Sequence, residues 1–282
     1  MSNPQHGELS HRARKRFGQN FLVDQGVIQR IVRAIAPRDA DQVVEIGPGK
    51  GAITELLVEE INAEAGGRLN VVELDRDLVP WLHMKFDRYA HFALHQADAL
   101  KFDFGQLIEA DKPLRIVGNL PYNISTPLIF HLLGYHGRVK DMHFMLQKEV
   151  VDRMGAQPGD KAYGRLGIMV QYYCRVDCLF PVPPGCFQPA PKVDSAIVRL
   201  TPHAAPPFPA RNLKLLERLV NVAFQQRRKT LRNALKQLLP VEQIDQLELD
   251  TGRRPENLSL EEFVALSDTL DTLIKGASDG HE

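Results

Sequence analysis

The sequence predicts an α/β protein with a doubly wound, mainly parallel sheet of seven strands and a small all-helical C-terminal domain. Through the first two thirds of the chain, short apolar runs alternate with amphipathic stretches, as in successive βαβ units. Beyond the proline-rich stretch 202–209, only helical periodicity remains. A length of 282 residues is enough for a full α/β domain with a smaller appendage.

The predicted elements follow one another in a regular order. The first helix begins after Asp24, a suitable N-cap, and its apolar periodicity stops at Pro37. Strands are predicted at 42–46, 69–74, 91–95, 114–118, 141–146, 179–182 and 195–200, and further helices at 52–65, 78–89 and 127–133. The last two strands flank a proline-rich segment and are expected to form an antiparallel pair at one sheet edge.

The same reading divides the chain into four parts. These are a basic N-terminal arm (1–16), the sheet domain (17–202), a linker (203–209) and the helical domain (210–282).

Charge is balanced overall but segregated along the chain. The sequence has 35 basic and 35 acidic residues, yet Arg211 to Lys236 holds eight basic residues against the single acid Glu217. A second basic cluster occupies 12–16, and 241–282 is acidic. Two basic patches on a neutral protein favour a face directed at a polyanion, although a solvated helix face would give the same pattern.

Other classes of protein are disfavoured by the composition. No run of 18 apolar residues and no apolar leader is present, so we expect a cytoplasmic protein without a membrane partner. The three cysteines match no common zinc pattern, and we expect reduced thiols and no metal.

A glycine-rich loop lies between the first sheet strand and its helix. Glycine occupies every second position at Gly47, Gly49 and Gly51, which departs from both the dinucleotide fingerprint and the P-loop. The loop suits a ligand without a phosphate chain, such as the methionine part of S-adenosylmethionine. A purely structural strand-to-helix turn is the alternative.

Two acids follow the next two strands. Glu73 ends the second strand, where a doubly wound fold places a carboxylate on ribose hydroxyls. Asp98 follows the third strand, where it could accept a hydrogen bond from an adenine amino group. Each acid could instead be a solvated loop residue or a helix cap.

The tetrad Asn119–Tyr122, with the sequence N-L-P-Y, follows the fourth strand. Asn119 can accept a hydrogen bond from an exocyclic amine, and Pro121 fixes a turn that can aim the Leu120 carbonyl the same way. Tyr122 offers a face for stacking a base. The alternative is a turn in which the tyrosine belongs to the core. The glycine loop, the two acids and the tetrad all follow parallel strands, so we expect them to converge on one crevice.

Taken together, several motifs resemble the ribosomal RNA adenine dimethyltransferase family, and more narrowly its bacterial small-subunit (16S) branch. The motifs are Q-N-F-L at 19–22, E-I-G-P-G-K-G at 45–51, Glu73, Asp98, N-L-P-Y, and F-Q-P-A-P-K-V-D-S at 187–195. The resemblance covers about 16–200 without departure at these positions. It implies a Rossmann-like methyltransferase that uses S-adenosylmethionine, releases S-adenosylhomocysteine and dimethylates N6 of two adjacent adenosines in a hairpin loop near the 3′ end of small-subunit RNA. This activity would be linked to maturation of the small subunit.

The resemblance also implies roles for particular residues. Asn20 and Leu22 would contact the cofactor from the N-terminal segment, Gly47 and Gly49 its methionine end, Glu73 its ribose and Asp98 its adenine. Asn119 would also contact the cofactor and would lie between the methyl donor and the acceptor amine. Phe187 would stack on the target adenine opposite Tyr122.

The partner expected from these observations is ribosomal RNA, within the small subunit or its precursor, and we expect a monomer. Phosphate contacts would come from Arg227, Arg228, Lys229 and Arg232. Two alternatives remain open at this point. One is a large-subunit rRNA adenine N6-methyltransferase, and the other is a non-catalytic RNA-binding assembly factor.

Overall fold

The computed structural model describes residues 19–109, 112–225 and 229–279, and the chain forms two compact units. The first comprises the described residues up to Val151 together with Asp177–Pro202, and the second comprises Asp152–Val176 with the described residues from His203 onward. The predicted boundaries differ here, because they assigned 152–176 to the sheet domain. The predicted basic arm 1–16 lies outside the described residues.

The first unit is built on a sheet of seven strands, as predicted. The described strands are β1 (Phe21–Leu22), β2 (Gln42–Ile46), β3 (Arg68–Glu73), β4 (Phe92–Gln96), β5 (Leu114–Asn119), β6 (Val139–Gln147), β7 (Cys174–Val182), β8 (Phe187–Gln188) and β9 (Ser195–Pro202). The large sheet has the order β4-β3-β2-β5-β6-β9-β7, while β1 and β8 pair separately and antiparallel.

The central strand pairs are parallel, so their carboxyl ends share one edge. β2 pairs in parallel with both β3 and β5, β3 with β4, and β5 with β6. β9 runs antiparallel to β6, and β7 follows β9 at the sheet edge. The predicted doubly wound, mainly parallel sheet is confirmed, and ligands of such folds bind at this edge.

Helices connect the strands and build the second unit. The described helices are α1 (Gln25–Ile35), α2 (Thr54–Glu60), α3 (Val79–Phe86), α4 (Ser125–Leu133), α5 (Lys148–Gly155), α6 (Arg165–Tyr173), α7 (Leu213–Gln225), α8 (Leu231–Leu235), α9 (Val241–Ile244) and α10 (Leu260–Asp279). None of them is long and apolar enough to cross a membrane.

Two helix ends show how local chemistry sets the boundaries. The Asp24 carboxylate accepts the Val27 amide at 2.8 Å, so the predicted N-cap of α1 is confirmed. The second predicted helix is too long, because α2 ends at Glu60 rather than near 65. Asn62 there accepts the Glu64 amide at 2.9 Å, and Gly66 has φ 78°, so the chain turns instead of continuing the helix.

The helical unit has its own core. Phe224 of α7 and Phe263 of α10 pack with ring centroids 6.0 Å apart. The buried Tyr163 donates its hydroxyl to the Leu258 carbonyl at 2.9 Å. Helices α7 to α10 lie in the part of the chain in which only helical periodicity was predicted, whereas α6 lies in the stretch 152–176 that was assigned to the sheet domain.

Candidate active site

A cleft of about 1620 Å³ opens at the carboxyl edge of the sheet. It brings together nearly all of the residues that were predicted separately from strand ends and from the resemblance. Those lining it are Asn20, Leu22, Gly47, Gly49, Glu73, Asp98, Asn119, Leu120 and Tyr122. Its position follows from the parallel pairing of β2, β3, β4 and β5, which delivers four successive loops to one edge.

The glycine loop adopts a backbone that side chains disfavour. Gly47, Gly49 and Gly51 have φ values of 66°, 58° and 85°. A Cβ on Gly49 would lie 3.0 Å from the ring of Phe21, and one on Gly51 would lie 2.7 Å from that of Phe86. The glycines therefore allow the loop to pack closely against the two phenylalanine rings, and the backbone of Gly47 and Gly49 faces the cleft without a side chain.

Glu73 presents a buried carboxylate at the end of β3. Its side chain is 6% exposed, and burial raises its pKa to about 7. Backbone N–H groups oppose this shift; among them, the Asp75 amide donates to Oε1 at 2.7 Å. The site therefore holds a desolvated carboxylate whose charged form gains from additional hydrogen-bond donors.

A second buried carboxylate, Glu45, lies near the end of β2, just before the glycine loop, and was not predicted as a site residue. Burial raises its pKa to about 7, against the hydrogen bond that Thr54 donates to it at 2.6 Å, and the nearby Glu73 adds to the rise. The Thr54 bond connects the end of β2 to the start of α2 and so closes the loop at its base. Its sequence signal was an acid between the apolar residues Val44 and Ile46 of the predicted strand.

We expect Glu45→Gln to make the protein more stable at pH 8. The folded-state pKa of Glu45 lies above its ordinary 4.5, so between pH 4.5 and 7 the folded state holds the extra proton and stability falls as pH rises. The amide can still accept the Thr54 bond but carries no charge. The gain at pH 8 should reach about 3 kcal/mol and vanish near pH 4.

Urea unfolding at pH 4.5 and pH 8 measures this difference. Glu60→Gln, at the exposed end of α2, is the matched control for removing one acid. Equal pH slopes for wild type and Glu45→Gln would contradict the assignment.

Asp98 has a structural role beside its place in the cleft. Its Oδ1 accepts the Leu100 amide at 3.0 Å, and its carbonyl accepts the Lys101 and Phe102 amides at 2.9 Å. The residue therefore caps the turn after β4. One carboxylate oxygen has this local partner, and the side chain still lines the cleft.

The Asn119 amide is oriented by the N-terminal segment. Its Nδ2 donates to the Asn20 carbonyl at 3.1 Å, which directs the nitrogen of the amide toward the segment and leaves Oδ1 as the acceptor end. The Leu120 amide donates to the Met145 carbonyl at 3.2 Å, and the Leu120 side chain is buried. The tetrad is therefore anchored to Asn20, the residue before β1, and to β6.

The two predicted stacking rings are placed differently. Tyr122 lines the cleft, whereas Phe187 is 5% exposed, packs in the hydrophobic core and is absent from the cleft lining. Phe187 pairs with Leu22 between β8 and β1, while the next residues, Gln188 and Pro189, reach the cleft. Stacking of an adenine on Phe187 stays a prediction.

The predicted RNA-binding residues are only partly described. Arg227 and Arg228 lie outside the described residues. Lys229 is exposed just before α8, and Arg232 on α8 forms an ion pair with Asp245. The charge of Arg232 is thus partly offset by an acid that the sequence pattern did not connect with it.

The sheet order and the cleft define a Rossmann-like methyltransferase. A crystal structure of a dimethyladenosine transferase from Plasmodium falciparum has a TM-score of 0.74 at 28% identity, covering 90% of this chain and 98% of that one. The 23S rRNA methyltransferase ErmE has a TM-score of 0.66 at 25% identity, covering 89% and 100%.

Comparison of sequences identifies the family more specifically than comparison of structures. The pattern of the family described as ribosomal RNA adenine dimethylase matches residues 10–272, and the chain belongs to this family. A protein of Marinobacter nauticus is 61% identical over 282 residues, covering 100% of this chain and 99% of its own length. One of Pseudomonas aeruginosa is 62% identical, covering 93% and 96%. Both are named ribosomal RNA small subunit methyltransferase A.

Proposed function

We propose that this protein dimethylates N6 of two adjacent adenosines near the 3′ end of small-subunit ribosomal RNA, with S-adenosylmethionine as methyl donor. The observation that carries the proposal is the Asn119 amide, whose nitrogen is held by the Asn20 carbonyl and whose oxygen is left as an acceptor beside the cleft. The names of the relatives support the same RNA.

The residues of the cleft fit this cofactor. The left-handed glycines leave backbone free of side chains where a methionine portion would lie. The Glu73 carboxylate can accept hydrogen bonds from two vicinal hydroxyls, which a ribose provides. Asp98 has an oxygen for an adenine amino group, and the glycine spacing disfavours a pyrophosphate ligand.

The cofactor supplies an electrophilic methyl group on a positively charged sulfur. The residues of the chain orient the accepting amine and exclude water from the cleft. Asn119 and the Leu120 carbonyl can each accept one hydrogen of the adenine amine, which favours a nitrogen whose lone pair is available. Orientation of this kind can supply about 7–11 kcal/mol of the barrier. Exclusion of water from the cleft favours a transfer in which the positive charge spreads from the sulfur to the adenine nitrogen, which afterwards loses one N–H proton to solvent.

The same arrangement supports two successive transfers. After one methyl group is added, the remaining N–H can still bind one acceptor. Tyr122 can stack on the base in either state, since stacking on an aromatic ring does not depend on the amine. The target must be single-stranded or flipped out to enter, at a cost of a few kcal/mol.

The small-subunit assignment is favoured over the alternatives. The relatives at 61% and 62% identity carry the small-subunit name, whereas the large-subunit enzyme is similar at 25%. Glu73 and Asn119 line one cleft, as an active enzyme requires, so a purely non-catalytic assembly factor is not favoured. We further propose action in the cytoplasm as a monomer.

Mass spectrometry of nucleosides tests the proposed function directly. Unmethylated small subunits and large subunits would be incubated separately with the protein and labelled S-adenosylmethionine. We expect dimethyladenosine in small-subunit RNA, with two modified positions per particle. Label in the large subunit instead, or in neither, would overturn the proposal.

We expect the charge of the second unit to control RNA affinity. Lys229→Glu should weaken RNA binding and reduce the slope of log affinity against log salt, because each lost phosphate contact removes about 0.7–0.9 from it. Asp245→Asn should act in the opposite direction by releasing Arg232 from its ion pair.

Filter binding of small-subunit RNA at several salt concentrations measures these slopes. Arg33→Glu, an exposed position on α1, controls for the change in net charge. If Lys229→Glu and Arg33→Glu shift the slope equally, the second unit is not the RNA surface. Cofactor affinity should stay constant in all three variants.

A further inference from the structure

The catalytic tetrad is tied to a distant strand by one side-chain hydrogen bond. The Tyr122 hydroxyl lies 2.7 Å from Oγ of Ser195, although the two residues are separated by 73 positions in the chain. Tyr122 lines the cleft and is partly exposed, whereas Ser195 is 0% exposed. A buried hydroxyl needs a hydrogen-bond partner, and this ring supplies it.

The position of Ser195 is itself well fixed. It is the first residue of β9 and pairs with Gln147 of the antiparallel strand β6. The carbonyl of the preceding residue, Asp194, accepts the Lys148 amide at 2.9 Å. Ser195 is therefore a rigid anchor that belongs to the sheet rather than to the loop of the tetrad.

The backbone of the tetrad is held by other bonds. The Leu120 amide donates to the Met145 carbonyl at 3.2 Å, and Ser125 donates its hydroxyl to the Tyr122 carbonyl at 3.2 Å. Neither bond controls the ring, which can still turn about its side-chain torsions. The Ser195 bond alone, among those described, holds the far end of the ring.

We propose that Ser195 is a positioning residue for methyl transfer, which holds the Tyr122 hydroxyl and thereby fixes the orientation of the ring on which the target adenine stacks. This inference rests on the proposed function and deepens it. A base stacked on a ring of fixed orientation keeps its amine in register with the Asn119 oxygen. When the ring turns, the base turns with it, and small misplacements of reacting groups lower the rate strongly.

Two substitutions break the same bond from opposite sides. Ser195→Ala removes the anchor, and Tyr122→Phe removes the hydroxyl but keeps the stacking face. Each should lower kcat about five- to tenfold, the range expected for a lost hydrogen bond that orients a substrate. KM for the cofactor should stay unchanged, because neither group is assigned to cofactor binding.

The double variant Ser195→Ala/Tyr122→Phe is the decisive measurement. If the two groups act only through their mutual bond, its kcat should equal that of either single variant rather than the product of the two losses. Ser267→Ala is the matched control for deleting a buried serine hydroxyl, because Ser267 is 0% exposed and its Oγ has no hydrogen-bond partner among the described residues. It should keep the wild-type kcat.

The outcomes separate this inference from the proposed function. Wild-type kcat in Ser195→Ala or in Tyr122→Phe, or multiplicative losses in the double variant, would overturn the positioning role while leaving the enzyme assignment intact. A lowered melting temperature with unchanged kcat would assign Ser195 to stability alone. If wild-type protein transfers no methyl group to small-subunit RNA, both proposals fail together. Should Ser195→Ala not fold, Tyr122→Phe still breaks the bond, and its kcat decides.

Discussion

Replacing Asn119 by alanine should lower kcat for methyl transfer by about 10²- to 10³-fold, the range measured when one oriented hydrogen-bonding group is removed from an active site. The amide oxygen is the side-chain acceptor that we assign to the target amine, and its orientation is set by the 3.1 Å bond from Nδ2 to the Asn20 carbonyl. Alanine removes both the acceptor and the group that orients it.

Cofactor affinity separates a catalytic from a structural effect. Titration calorimetry with S-adenosylhomocysteine should give a dissociation constant within a few-fold of wild type for Asn119→Ala, since the glycine loop and Glu73 are unchanged. Asn62→Ala, in the exposed turn after α2, controls for loss of an asparagine. Near-normal kcat in Asn119→Ala would contradict the role given to this residue.

Much of the fold could be predicted because it depends on local pattern. The strands β2, β3 and β5 each contain a short apolar run and are buried along nearly their whole length, as expected for a parallel sheet covered on both faces, and Asp24 marks the start of α1. The length of α2 was wrong because Asn62 and Gly66 form a turn within a helix-like composition. The grouping of 152–176 with the helical unit depends on tertiary contacts that no local pattern records.

The site divides in the same way. Residues at the ends of parallel strands could be predicted to meet, because topology alone brings those ends to one edge. The partners that orient these residues could not be predicted from the sequence. The Asn20 carbonyl lies 99 positions from Asn119, and Ser195 lies 73 positions from Tyr122. The burial of Phe187 depends on the pairing of β8 with β1, a contact between two-residue strands that carry almost no sequence signal.

The two buried carboxylates of the cleft lead to the last prediction, in which Glu73→Gln weakens cofactor binding while stabilising the fold. A carboxylate can accept from two hydroxyls at once, whereas the amide presents only one oxygen. At pH 8 we therefore expect affinity for S-adenosylhomocysteine to fall about 10- to 100-fold, the effect of losing one charge-assisted hydrogen bond. The same change removes a buried charge, so the free energy of unfolding should rise.

Dependence on pH gives this prediction a distinct signature. Burial raises the pKa of Glu73 to about 7, and the form that accepts two hydroxyls is the charged one. Wild-type affinity should therefore rise as pH increases toward 7 and level off above it, because below pH 7 binding must first release a proton. Glu73→Gln should lack this rise.

Glu45→Gln is the matched comparison, because Glu45 is also buried and its pKa is also raised to about 7. The amide can keep the hydrogen bond from Thr54, so this variant should gain stability with a far smaller loss of affinity. Equal losses in the two variants would mean that burial of charge near the glycine loop, and not recognition of hydroxyls, determines affinity. If only Glu73→Gln loses affinity for S-adenosylhomocysteine, the Glu73 carboxylate serves to bind the ligand. Its burial then has a functional reason, because the fold would be more stable without the charge.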